Sequence, residues 1–502
     1  MLKTLLVALV VGAASFLTGP SGVAAATSDR PDTAHRWVGY EIPRNGRADG
    51  GWIGGYRIDD TPIFVTTPAR EPNVSGYRPA RVVENLDGRG GASSTETERA
   101  AWILSKYGGY RDATQAAAVD ASVYALVVGG RWRTTGERGA HRIRETPASA
   151  TVRRFARIML AQASRHAGEY DARATARGAD VGGTITATVT VTDGGGRPAA
   201  GLPVTLVAAG ASAVQAVSGD DGRAVARFAA PQPGWRRITA TVGKVPEHRL
   251  HLRLPVRRGQ AAAAEGGDRR TLVATTRAAV RGPQALALRA TPATVLVGSP
   301  TQVTATVSGD GTQRALTGTL HGPFATTSEA HCGGSAGGTV TATVGADGDY
   351  TLPPVSPGAP GYYVWQVAVD GTATALAATA CGAATTVKAV AQVSVTALDP
   401  EMQPGNAEVR VSLSGLPRYP AVTTTLNVWG PYASQEAMTA GGCSGAIAAA
   451  VDQKMNGDAT VTLIPYVGEA GWYALQATVP PGELHQGARS ACLALGTVLH
   501  VS

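Results

Sequence analysis

Gly322-Pro323-Phe324, Cys332, Gly361-Tyr362-Tyr363 and Cys381 follow one another in the C-terminal half of the chain, and a variant of the series recurs as Gly430-Pro431-Tyr432, Cys443, Gly471-Trp472-Tyr473 and Cys492. The two members of each cysteine pair are 49 residues apart in both copies. Ser308-Gly309 and Ser414-Gly415 close matching apolar runs, Val303–Val307 and Val409–Leu413. A repeat of about 105 residues is an internal duplication. Four cysteines allow three pairings. The duplication selects Cys332 with Cys381 and Cys443 with Cys492, one bridge inside each copy. No CxxC or Cys/His cluster supports a metal site, so none is expected.

Within a copy, Thr301–Val307, Thr339–Val344, Tyr363–Val369 and Val387–Thr396 alternate apolar and small polar residues, which is the period of a half-buried strand. Gly309-Asp310-Gly311 and Asp347-Gly348-Asp349 are turn sequences between them. Short, closely spaced strands over about 100 residues predict an immunoglobulin-like β-sandwich. The aromatic residues at 362–365 and 472–473 are expected to pack in the core beside the disulfides.

Upstream, Thr184–Val191, Pro203–Val207, Ala224–Phe228 and Arg237–Val242 read as strands of a third sandwich, with a hairpin-type turn at Asp193–Pro198. Thr192-Asp193-Gly194, Gly201-Leu202-Pro203-Val204-Thr205-Leu206 and Gly219-Asp220-Asp221-Gly222-Arg223-Ala224 together resemble bacterial immunoglobulin-like domains of the invasin type. That resemblance implies a spacer or presenting stalk. Gly259 to Asp268, with four consecutive alanines, reads as a flexible linker, and Thr271–Val280 as a strand for either neighbour.

Residues 36–168 differ in character. Thr95 with Glu98 forms a capping box for a helix over Arg99–Tyr107, which Gly108-Gly109 stops. Asp112 caps a second helix reaching about Val128, and Thr146-Pro147 opens a third that ends near Gly168. Trp37–Tyr40, Gly51–Ile58 and Pro62–Thr66 read as short strands. Gly55-Tyr56-Arg57-Ile58-Asp59, followed by Ala113-Thr114-Gln115-Ala116-Ala117, resembles the thioester (TQXA) domain of Gram-positive surface adhesins. The resemblance implies a Cys–Gln side-chain bond that captures nucleophiles. Here Gln115 matches the glutamine motif, but Arg57 stands where the cysteine belongs, and every cysteine lies beyond residue 331. A guanidinium cannot form a thioester. Gln115 is then expected to be a buried helix residue, and Arg57 and Gln115 mark the region where a non-covalent ligand would sit.

The fold class expected is thus multidomain: an α+β head followed by three all-β immunoglobulin-like sandwiches. The boundaries read are a signal peptide over 1–26, the head over 36–169, sandwiches over 170–257, 282–392 and 393–502, and a linker over 258–281. Lys3, the apolar run Leu5–Leu17 and Ala24-Ala25-Ala26 form the export signal. The product is expected to be secreted, and released or non-covalently wall-associated, with no stable membrane insertion after signal cleavage.

Net charge is +8, but the clusters Arg153-Arg154, Arg257-Arg258 and Arg269-Arg270 are short and scattered, so nucleic acid is not expected as a partner. Gly333-Gly334-Ser335-Ala336-Gly337 matches GxSxG without the strand–turn–helix setting of a nucleophile elbow. His248 and His251 lie between Pro246 and Pro255, as on a surface strand rather than a metal-binding helix. Lys244, Lys388 and Lys454 are the lysines available for an isopeptide staple, which the two disulfides make unnecessary. No cofactor and no catalytic residue is expected. The expected partner is a cell-wall or extracellular protein or glycan. A purely structural envelope spacer and an exported enzyme with an unrecognised head are the alternatives.

Overall fold

The computed structural model describes residues 33–43, 51–68, 70, 72, 76–86, 92–267, 269–416 and 420–502. The signal peptide expected over 1–26 lies outside them. Among the described residues no helix is long and apolar enough to cross a membrane.

The head is an antiparallel sheet carrying helices. Its strands β1 (His35–Ile42), β2 (Gly51–Ile58), β3 (Thr61–Val65) and β4 (Arg81–Val83) precede helices α1 (Ser94–Tyr107), α2 (Ala113–Val127), α3 (Glu137–Arg144) and α4 (Ser149–His166). The capping box of α1 is Ser93 with Glu96, two residues before the expected Thr95 and Glu98. Helix α2 is capped by Asp112 as expected, and α3 is an additional helix.

The first sandwich follows with β5 (Asp171–Arg177), β6 (Ala179–Asp180), β7 (Thr184–Thr192), β8 (Pro203–Ala208), β9 (Val214–Val217), β10 (Arg223–Ala229) and β11 (Gly234–Pro246). The chain then leaves the sandwich, forms β12 (Leu250–Arg253) and β13 (Ala263–Glu265), and returns as β14 (Arg269–Arg281). Strands β12 and β13 belong to the head, whose sheet order is β1-β2-β3-β13-β12-β4. Strand β14 is an interior strand of the sandwich, in the order β6-β14-β11-β8-β9, facing the sheet β10-β7-β5.

Residues 258–281 are therefore not a linker, and residue 169 does not end the head. The physical reason lies in side-chain size. Ala261, Ala263 and Ala264 are fully buried, so the alanine run is close-packed rather than solvated. A Cβ at Gly108 would lie 2.8 Å from the Cα of Gly266, so helix α1 can approach the returning chain only because both positions lack a side chain. One apolar core runs through both units, from Trp102 and Ile103 through Leu250 and Leu252 to Ile238 and Val204. The Asp193 turn adds a second joint. Its carboxylate accepts the N–H groups of Gly195 and Arg197, and its other oxygen lies 2.6 Å from His166 Nδ1 at the end of α4.

The second and third sandwiches repeat the first. In the second, Ala285–Thr291, Gln302–Ser308 and Gly348–Thr351 face a five-stranded sheet containing Thr294–Leu296, Ala378–Lys388, Gly361–Val369, Arg314–Phe324 and Ala336–Val344, in that order. The third has the same plan, with Gln392–Ala397, Val409–Ser414 and Ala459–Leu463 opposite Glu401–Met402, Val498–Val501, Gly471–Val479, Val422–Tyr432 and Ile447–Met455. The run Val387–Thr396, expected as one strand, is split: one sandwich ends at Lys388 and the next begins at Gln392.

Both disulfides form as paired in the sequence reading, with Cα–Cα distances of 6.0 and 5.9 Å. The aromatic residues next to the first bridge are core residues, as expected, and Cys332 Sγ lies 3.6 Å from the Trp365 carbonyl. Cys381 is exposed opposite Gln366, whereas the neighbouring Tyr363 and Trp365 point into the core at 2% and 0% exposure. The Cys332–Cys381 bridge staples the outside of one sheet rather than joining two sheets. Replacing Cys332 and Cys381 by serine is expected to destabilise the second sandwich by about 4 kcal/mol, because a loop of about 50 residues is released in the unfolded chain. Denaturant titration measures this, and an unchanged midpoint would refute it.

Each sandwich also holds the unit before it through the connection between its last two long strands. In the first, that connection supplies β12 and β13 to the head. In the second, the N–H of Gly282 donates to the Thr374 carbonyl and that of Leu376 to the Gly282 carbonyl. In the third, the N–H of Ala389 donates to the Leu484 carbonyl, Lys388 Nζ to the Gly482 carbonyl (2.8 Å) and the Tyr362 hydroxyl to Glu483 (2.6 Å).

Candidate functional site

Helix α2 begins where the Asp112 carboxylate accepts the N–H of Gln115 at 2.7 Å. The next contact fixes the helix on the sheet: the hydroxyls of Thr114 and Tyr40 share a hydrogen bond of 2.8 Å, joining the helix N-terminus to β1. Gln115 itself is half-buried, not buried as expected. Two turns on, Asp120 is buried and takes the N–H of Gly54 and the guanidinium of Arg142 (2.7 Å). Tyr124 packs with Tyr56 and Ile58 near the end of β2.

Helix α2 thus runs alongside β2 in the same direction, which separates the two expected site residues. Arg57 lies near the C-terminal end of α2, with Asp60 as its ion-pair partner and its guanidinium 6.0 Å from the Trp37 ring centroid. Gln115 lies at the N-terminal end, nine residues before Tyr124, or about 14 Å along the helix axis. Arg57 and Gln115 share no hydrogen-bond partner. The intact protein is expected to have the mass of its sequence with two disulfides and no loss of ammonia, and to be inert to methylamine. Mass spectrometry checks both.

The chemistry concentrated in the head is the Asp120–Arg142 pair, which the sequence reading missed because 22 residues and no motif separate the partners. Arg142 also donates to the Trp52 carbonyl (2.9 Å), and its guanidinium lies 4.5 Å from the Tyr124 ring centroid. Together these contacts tie α2, α3 and β2. Burial pushes the Asp120 carboxyl up to about 6, against the pull of Arg142 and the Gly54 N–H. A carboxyl with its folded value raised binds more protons folded than unfolded between pH 4 and 6. The head is therefore expected to gain stability, by at most about 3 kcal/mol, as pH falls from about 6 to about 4. Asp120→Asn should flatten that rise, and a parent stability that falls steadily over this interval would contradict it.

A second cluster lies at the joint with the first sandwich. Ser105, His251 and Glu265 line one depression together with Glu247 and Arg249. These are the residue types of acyl transfer, but their bonds are those of a brace. Ser105 Oγ accepts the N–H of Glu247 at 3.0 Å, and Glu265 is bound to Arg253 at 2.6 Å while 3.6 Å from His251. His248 precedes β12 and His251 lies on it, so the two do not share a face of a helix.

The acidic turns are also internally satisfied. The N–H of Gly309, then the paired Arg314 and the N–H of Gly311, hold the Asp347 carboxyl below the usual range. Burial pushes Asp310 up, but the hydroxyls of Thr372, Thr374 and Thr312 outweigh it and hold the carboxyl low. No group of three or more His, Cys, Asp or Glu side chains among the described residues could hold a metal ion. The GxSxG sequence forms the loop after Cys332 and the first residues of strand Ala336–Val344.

No protein-family model and no curated protein matches the chain. Among solved structures, it is similar to a tetra-tandem repeat from the extending region of a large adhesion protein, at 13% identity over 66% of this chain and 74% of that one, with a TM-score of 0.33. It is also similar to the Escherichia coli adhesin FdeC, at 17% identity over 67% of this chain and 97% of that one, with a TM-score of 0.26. The I67–I69 fragment of the titin I-band matches at 10% identity over 66% and 97%, with a TM-score of 0.34.

Proposed function

We propose that the chain is a secreted, non-catalytic surface protein of the adhesion type, which presents its α+β head and first sandwich on two further sandwiches. The observation that carries this reading is the repeated grip: three sandwiches of one plan in series, each bonded to the unit before it. Such an arrangement holds a terminal unit away from its attachment point. Two disulfides support an oxidising, extracellular setting, since cytosolic thiols are kept reduced. Binding is non-covalent, because the thioester position holds Arg57.

The test is retention of the intact chain on purified wall polymers and extracellular-matrix components. Saturable retention that denaturant reverses is expected on at least one of them. Retention on none would leave the chain as a spacer, and denaturant-resistant capture would refute the non-covalent reading.

A further inference from the structure

The charge of the chain is sharply divided. Residues 1–281 hold 38 basic and 24 acidic residues, whereas residues 282–502 hold 7 and 13. The N-terminal unit is thus at +14 and the C-terminal pair of sandwiches at −6. Within residues 170–281 there are 16 basic and 8 acidic residues.

On the outer face of the first sandwich's larger sheet, this excess meets an aromatic ring. Arg237 on β11 and Arg277 on β14 stand directly opposite each other, both exposed. Like charges at facing positions of an antiparallel pair repel, and their Cα atoms are only about 5 Å apart. Neither arginine has a carboxylate partner among the described residues; Arg277 instead lies with its guanidinium 5.5 Å from the ring centroid of Trp235. Trp235 is two positions along β11 from Arg237, on the same face, and 57% exposed. Beyond the arginine row the sheet continues with Thr239 facing Thr275 and Thr241 facing Thr205. The outward positions of β8, β9, β11 and β14 hold no acidic residue, and the carboxylate of Asp180 on the edge strand β6 is paired with Arg281 at 2.8 Å.

We propose that this face binds an acidic polysaccharide, with a sugar ring stacked on Trp235 and its carboxylate or sulfate held between Arg237 and Arg277. Each part of the face matches one part of that ligand. An exposed indole offers a flat apolar platform to the C–H face of a pyranose. Guanidinium forks pair with planar oxyanions, and an anion between the two arginines relieves their repulsion. Threonine hydroxyls along the same face match sugar hydroxyls. A duplex nucleic acid would use the arginines but not the indole. The proposal rests on the adhesion reading and gives it a ligand class.

The experiment measures binding of the full chain to polygalacturonate and to heparin, with dextran and duplex DNA as comparisons. Binding to at least one acidic glycan and none to dextran is expected. The double variant Arg237→Thr/Arg277→Thr should weaken binding at least tenfold, and Trp235→Ala at least fivefold. The control Arg173→Thr/Arg177→Thr removes the same charge from the opposite sheet, and should change binding less than twofold. The affinity ratio between the polyuronate and the sulfated glycan tells which oxyanion the arginines prefer.

Equal losses in the two double variants, an unchanged Trp235→Ala, or duplex DNA bound as tightly through the same residues would each overturn the proposal. The thermal midpoint of Arg237→Thr/Arg277→Thr should match or exceed the parent's, since a repulsion is removed; a fall would make the arginines structural and overturn it. If retention on another extracellular component persists while these variants bind acidic glycans normally, the site is wrong and the adhesion reading stands.

Discussion

A chain ending at residue 170 is expected to be unfolded, while one ending at residue 281 unfolds in a single cooperative transition. The shorter chain contains every helix of the head but lacks β12 and β13, two of the six strands of its sheet. Strand β4 then has no partner and β3 loses its inner neighbour. Leu250, Leu252, Ala261, Ala263 and Ala264, all nearly inaccessible, are removed from the core. Truncating one buried leucine to alanine alone costs about 2–5 kcal/mol, and a whole domain is stable by only about 5–15 kcal/mol. Calorimetry with far-ultraviolet circular dichroism distinguishes the two chains, and a cooperative transition in the shorter one would refute the shared sheet.

Removing the guanidinium of Arg142 by Arg142→Ala is expected to destabilise the head by about 3–5 kcal/mol, the range for breaking a buried ion pair from one side. The loss exceeds one hydrogen bond because Asp120, at 2% exposure, would be left charged with only the Gly54 N–H, or would have to take up a proton. The paired replacement Asp120→Leu/Arg142→Met should recover most of the loss, since a buried pair is commonly replaceable by apolar residues of similar volume. Urea titration of the parent, the single and the double variant measures this coupling. A double variant no more stable than Arg142→Ala would show that the contacts of Arg142 with the Trp52 carbonyl and Tyr124 matter more than the pair.

What the sequence revealed follows the range of the interactions involved. Gly51–Ile58 was legible as a strand to the residue, and Asp112 as a helix cap, because each is decided by a few neighbouring side chains. The sandwich plan was legible because period-two alternation recurs and a duplication set the register. Residues 247–268 were illegible for the opposite reason. Three or four residues each of β12 and β13 are too short for a periodic signal, and four alanines followed by Gly266-Gly267 resemble a linker unless Gly108, more than 150 residues earlier, is known to press against Gly266. The spacing of the two candidate residues was illegible likewise. Arg57 and Gln115 each match a short motif, but their distance depends on how α2 lies along β2, which neither motif specifies. The facing pair Arg237 and Arg277 becomes visible only once β14 is placed beside β11.

The return of the chain from β11 into the head also constrains how the protein is made. Synthesis delivers the head first, yet its sheet waits for residues Ala263–Glu265, and the first sandwich waits for β14 immediately after them. For more than 200 residues of elongation after β1 the head cannot close its core, and the edge of β3 that pairs with β13, at Ile63 and Phe64, stays open. At roughly 5–20 residues per second this open interval lasts about 10–40 seconds. The nascent chain must therefore pass this interval with apolar surface and an unpaired strand edge exposed, the state most open to proteases and to aggregation.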